Sequence, residues 1–160
     1  MKTKINKGLN GTTIFVSLLC VVNIVWILCQ SYFISTDSGE GCIAWHEDLY
    51  PVQLAIFAGR LIFKTAFYAL IILFMVKQCK AIGSGTIFPR TNVTVIYTMA
   101  ACYFIGEFCD SNMESAVMFC GSNGAIEINI DIIIYTILLV VFGILYKVAV
   151  DVSEENNLTI

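Results

Sequence analysis

Arg60 and Lys64 are two cations inside an apolar stretch, four residues apart, so that a helix places them on one face. A charge at the centre of a bilayer costs roughly 2.5–3.5 kcal/mol on insertion scales, so such a side chain turns into the bundle and finds a partner. Glu107, in a later apolar stretch, is the expected partner of Arg60, with Lys64 and Asp131 nearby. Counted along the helices at 1.5 Å per residue, Arg60 and Glu107 both fall about 10 Å inside the outer surface of a 30 Å hydrocarbon core. The cluster has two readings. One is a site for a small ligand or ion, open to the outside; the other is a buried ion-pair network that fixes helix register.

Further polar positions share these faces. Gln53 precedes Arg60 by two turns, and Tyr103, Glu107, Asp110 and Glu114 form a stripe. Asp131, Tyr135, Phe142 and Tyr146 line the last apolar stretch, and Asn23 and Gln30 the first.

The sulfur and imidazole chemistry is sparse. There are seven cysteines and no C-x-x-C. Cys20, Cys29 and Cys102 lie within apolar stretches and are expected to act as small apolar packers. Cys79 falls on the cytoplasmic side, where thiols stay reduced. Cys109 and Cys120 are the local candidate for a disulfide on the outer side, and Cys42 can replace either member. Four-helix thiol oxidoreductases need a reactive dithiol with a tuned thiolate, and the first outer loop offers only Cys42. His46, beside Glu47 and Asp48, is the only histidine, which is too few ligands for a metal site. No cofactor, metal site or catalytic constellation is expected, and the chain is read as non-enzymatic.

The elements that position these residues are four apolar stretches, about 12–33, 54–76, 93–110 and 130–150. About 20 apolar residues match a hydrocarbon layer of about 30 Å, and a backbone shielded from water must satisfy itself as a helix. Of the 160 residues, 58% are hydrophobic and 13% charged, against about 25% charged in soluble domains. The fold class is therefore all-α: a single four-helix membrane bundle, with the lipid bilayer as its solvent. A net charge of −3 leaves no basic footprint for nucleic acid. Lys2, Lys4 and Lys7 precede a long apolar run without a small-x-small cleavage site, which reads as a retained first helix.

Short-loop cations set orientation. Lys2, Lys4, Lys7, Lys77, Lys80, Arg90 and Lys147 fall on one side of an alternating four-helix chain. The opposite loops carry Asp37, Glu40, Glu47, Asp48, Asp110, Glu114 and Glu127 without Lys or Arg. Both ends are expected in the cytoplasm.

Two cytoplasmic segments carry a resemblance. One is the loop Gly85-Thr86-Ile87-Phe88-Pro89-Arg90-Thr91-Asn92-Val93; the other is the tail Glu154-Glu155-Asn156-Asn157-Leu158-Thr159-Ile160. Together with the four spans, they resemble the bacterial membrane family called domain of unknown function 2975. Its members show a G-x-x-F-[TS]-x-x-N-like loop and an E-x-[ND]-x-L-T-[IV] tail. Pro89 departs from the usual Thr or Ser, so Thr91 or Asn92 becomes the candidate cap of the third helix. Genes of that family often neighbour a small Cro-like helix-turn-helix regulator, and the family defines no catalytic residues.

The resemblance implies an accessory, sensing or regulatory protein of the bacterial cytoplasmic membrane, paired with a cytoplasmic regulator. Phe88, Asn92, Glu155, Leu158 and Thr159 are the expected partner surface. The alternative is a small transporter or channel, as a homo-oligomer, using Arg60, Lys64 and Glu107.

Overall fold

The computed structural model describes residues 2–36, 48–118 and 126–158. Four α-helices run Lys2–Thr36 (α1), Tyr50–Gly83 (α2), Thr91–Ser111 (α3) and Ile130–Leu158 (α4). A π-helical turn, Glu114–Met118, follows α3. There is no strand among the described residues. Each of the four helices is long and apolar enough to cross a membrane, the architecture of a multi-pass membrane protein.

The helices outrun the expected spans. α1 and α2 have 35 and 34 residues, about 50 Å each at 1.5 Å per residue, and α4 has 29. Hydropathy marks the part of a helix that matches the hydrocarbon. The intrahelical hydrogen bonds continue beyond it, because they form in water and in lipid alike. Only α3, with 21 residues, is about as long as the core is thick.

Neighbours in sequence are neighbours in space. α1 lies on α2, α2 on α3 and α3 on α4, each pair antiparallel. α3 is the most buried span, while the apolar faces of α1 and α4 are largely exposed, as expected where lipid is the outer solvent. The α2–α3 connection marks what is called below the loop end, and the opposite end is the far end.

Two details set the α2–α3 geometry. Gly85, at φ +94°, completes the turn after α2, a conformation that a side chain disfavours. Gly106 lets the helices approach: a Cβ there would lie 3.0 Å from the backbone nitrogen of Lys64. Apolar packing then gathers at both ends. Ile56, Cys109, Met113 and Val117 cluster at the far end; Ile96, Tyr146 and Val150, with Phe74, Phe88 and Val93 against them, cluster at the loop end.

Neither Thr91 nor Asn92 caps α3. Its N-cap is Arg90, without a side-chain cap bond, and the backbone N–H of Asn92 reaches Pro89 O at 3.0 Å. The Asn92 side chain is taken up by tertiary contacts instead.

Candidate functional site

The intramembrane cations come together with carboxylates near the far end. Arg60 is 5% exposed. Its planar guanidinium donates in three directions. Nε binds Asp110 Oδ1 at 2.5 Å, one terminal nitrogen binds Ser31 Oγ at 3.1 Å, and the other binds Gln30 Oε1 at 2.7 Å. Lys64 Nζ donates to Asp110 Oδ2 at 2.7 Å and lies 3.1 Å from Glu107 Oε1. Asp110 thus bridges both cations with its two oxygens.

The grouping of Arg60, Lys64 and Glu107 matches expectation, but the pairing does not. The carboxylate of Arg60 is Asp110, and Glu107 belongs to Lys64. Depths counted from span ends assume that every helix starts flush with the hydrocarbon. In fact α2 starts at Tyr50 and α3 at Thr91, which shifts the register between them. Antiparallel helices then match a four-residue step in α2 to a three-residue step in α3, so Arg60 meets Asp110 and Lys64 meets Glu107.

Asp131 does not join this network. It is exposed in the first turn of α4, where the helix N-terminus favours a negative charge, and among the described residues it makes no salt bridge. Asn23, expected to share the Gln30 face, bonds back to Leu19 O at 2.9 Å. Ser31, which sequence reasoning missed, was signalled only by its place after Gln30 in an apolar run.

A second polar cluster lies near the loop end, and it is neutral. Asn92 Nδ2 donates to Gln78 Oε1 at 3.0 Å and to the Tyr146 hydroxyl oxygen at 3.4 Å. The Tyr146 hydroxyl donates to the same Gln78 oxygen at 2.8 Å. Gln78 Nε2 continues to Ile87 O at 2.5 Å, tying the α2–α3 loop to the cluster. The Phe88 and Phe74 rings lie 5.6 and 5.9 Å from the Tyr146 ring.

This arrangement corrects the expected partner surface. Asn92 is 0% exposed and holds helices together rather than facing a partner. Phe88 packs against Tyr146. The loop residue that reaches outward is Arg90, which donates to Asp151 Oδ1 at 3.1 Å and Glu154 Oε2 at 3.3 Å. The last turns of α4 therefore carry Asp151, Glu154 and Glu155 past the loop as one helix. Thr159 and the Leu158 side chain lie outside the described residues.

The remaining candidates are distributed as follows. Cys109 is a buried free thiol, packed beside Gly59; Cys120, Cys42 and His46 lie outside the described residues. Cys20 and Cys102 are buried packers, whereas Cys29 is exposed on the poorly covered α1. Cys79 Sγ lies 2.9 Å from Thr13 Oγ1 and joins α1 to α2 near the loop end. No group of acids, cysteines or histidine among the described residues could hold a metal ion. Asn112, which carried no signal in the sequence, is 0% exposed. It grips Glu127 in both directions, donating to its carbonyl at 2.9 Å and accepting from its N–H at 2.7 Å. No protein-family model, curated protein or solved structure matches the chain.

Proposed function

We propose that this chain is a non-enzymatic accessory or regulatory protein of a bacterial cytoplasmic membrane, with both ends inside, that engages a small cytoplasmic regulator. In this reading it belongs with the domain of unknown function 2975 family, and the regulator is of the helix-turn-helix kind. The observation that carries it is the bridge from Arg90 to Asp151 and Glu154. It joins the two family-like segments, the loop and the tail, into one polar surface beyond the apolar spans. The surplus of Lys and Arg on that side supports the orientation. The ionic cluster supports a structural role for Arg60 and Lys64, because each cation is committed to a carboxylate.

The test begins with the genes beside this one: a helix-turn-helix regulator found there is co-expressed with the chain and captured by affinity from detergent. Capture that is lost on deleting Ser153–Ile160, and weakened by Arg90→Glu, is the expected result. Equal capture by the deletion variant, or a reporter fused after Ile160 that appears outside the cell, would defeat the reading.

A further inference from the structure

α1 and α4 are the two edges of the row of helices. α1 packs on α2 and α4 on α3, and no α1–α4 seam closes the row among the described residues. The buried line of α1 is Thr13, Cys20, Ile27 and Ser31, and its ends touch Cys79 and Arg60 of α2. At about 100° per residue, the opposite face of α1 carries Phe15, Leu18, Val22, Trp26, Cys29 and Phe33, all exposed. The buried line of α4 is Ile132, Tyr146 and Val150. Its opposite face carries Ile134, Ile137, Val141, Leu145, Val148 and Val152, again all exposed.

The two edges carry opposite charge at the loop end. α1 opens with Lys2, Lys4 and Lys7 and has no acidic residue in its first turn. α4 closes with Asp151, Glu154 and Glu155 and has no basic residue in its last turn. Arg90 and Lys147 offset part of that charge, but they are two cations against three carboxylates. Each end opposes its own helix macrodipole, which favours anions at an N-terminus and cations at a C-terminus. Orientation in a membrane accounts for lysines on one side, but it gives no reason for acids there. Each end would be relieved by lying beside the other.

This charge pattern selects what covers the two faces. Zwitterionic lipid covers an apolar face but brings no net charge, and an anionic headgroup is repelled by the acidic end of α4. A second copy of the chain brings an apolar helix and a charge of the required sign together, at the same depth, because the charged ends of α1 and α4 both lie at the loop end. We propose that copies of this chain associate edge to edge. α1 of one copy lies antiparallel along α4 of the next, with its lysine-bearing end beside Asp151, Glu154 and Glu155 of the neighbouring copy. Like edges do not pair, since α1 on α1 sets lysines against lysines and α4 on α4 sets acids against acids. The association uses this chain alone and needs no regulator.

The experiment oxidises membrane vesicles with copper phenanthroline and reads non-reducing gels. The full chain carries Cys42→Ser and Cys120→Ser, which leaves Cys29 as the exposed thiol of α1. Cys29 lies about 10 Å from the far end of α1, and Ile137 lies as far from that end of α4. Ile134→Cys, Ile137→Cys and Val141→Cys, made singly, should give a cross-linked dimer at one or more of the three positions, and Cys29→Ser should abolish it. Glu154→Lys with Glu155→Lys should lower the yield at least threefold. Adding Lys4→Glu and Lys7→Glu should restore it, which separates charge pairing from misfolding. No dimer at any of the three positions would overturn the assignment and leave lipid as the cover of both faces. A dimer through Cys29 alone, or through the α4 cysteine without Cys29, would overturn it in favour of like edges. An equal yield from Phe104→Cys, exposed on α3 at a similar depth, would overturn it as random collision. A yield that the charge reversal leaves unchanged, or that the swap fails to restore, would overturn the pairing of the charged ends.

Discussion

The two polar clusters solve the same problem with different chemistry. Near the far end, Arg60, Lys64, Glu107 and Asp110 join α2 to α3 through full charges, and Arg60 extends the link to α1 through Gln30 and Ser31. Near the loop end, Gln78, Asn92 and Tyr146 join α2, α3 and α4 through neutral groups. The ionic layer holds the first three helices and the neutral layer the last three, with α2 and α3 common to both. The carboxylates of the ionic layer keep 29% and 33% of their side-chain surface, whereas Asn92 keeps none. The two cations, Arg60 and Lys64, are met by carboxylates that stay in part solvated, which limits the desolvation cost of the ion pairs. The Asn92 amide is buried whole, with Nδ2 hydrogen-bonded and Oδ1 without a partner, a cost that a neutral group can bear and a charge cannot.

Mutations can break this comparison. The largest effect is expected from Asp110→Ala, which leaves the buried guanidinium of Arg60 without a carboxylate. Removing one member of a buried pair typically costs about 3–5 kcal/mol, and unfolding in mixed micelles should show about 3 kcal/mol here, since Asp110 keeps some contact with solvent. Asn92→Ala should cost about 1 kcal/mol by the same measurement, because the Tyr146–Gln78 bond survives and the lost bonds are neutral. If Asn92→Ala proved as damaging as Asp110→Ala, the distinction between the two layers would fail.

Smaller effects sharpen it. Glu107→Gln should cost less than about 1 kcal/mol, since Lys64 keeps Asp110 and the site is partly exposed. A loss equal to that of Asp110→Ala would make Glu107 the principal partner of the lysine. Arg90→Ala should change stability by about 0.5 kcal/mol or less, because its bridges are exposed. Its expected readout is weaker capture of the regulator. A clear loss of thermal stability would move Arg90 into the fold's own support and away from a partner surface.

Much of the ionic cluster was legible in the residues. Charged side chains inside apolar stretches are rare and four-residue spacing puts two on one face, so Arg60 and Lys64 stood out, with Glu107 as a plausible neighbour. Asp110 was visible as a member of the α3 stripe but not as the pivot, because the pivot depends on where α2 and α3 cross. The loop-end cluster was misjudged for a related reason. Asn92 and Phe88 sit in a polar loop motif, which suggests a surface, yet α4 returns to cover them with Tyr146. Asn112 gave no signal, since its grip on Glu127 is a contact between residues fifteen apart that no local pattern reports.

Composition and segment length by themselves determined that this chain is an all-α assembly of four lipid-compatible helices. Hydropathy is a sum over neighbouring residues and needs no knowledge of the rest of the molecule. Only the tertiary structure decided the partners: Asp110 for Arg60 and Tyr146 for Asn92. Sliding one helix past another by three residues, about 4.5 Å, leaves every local property unaltered and changes every contact across the interface.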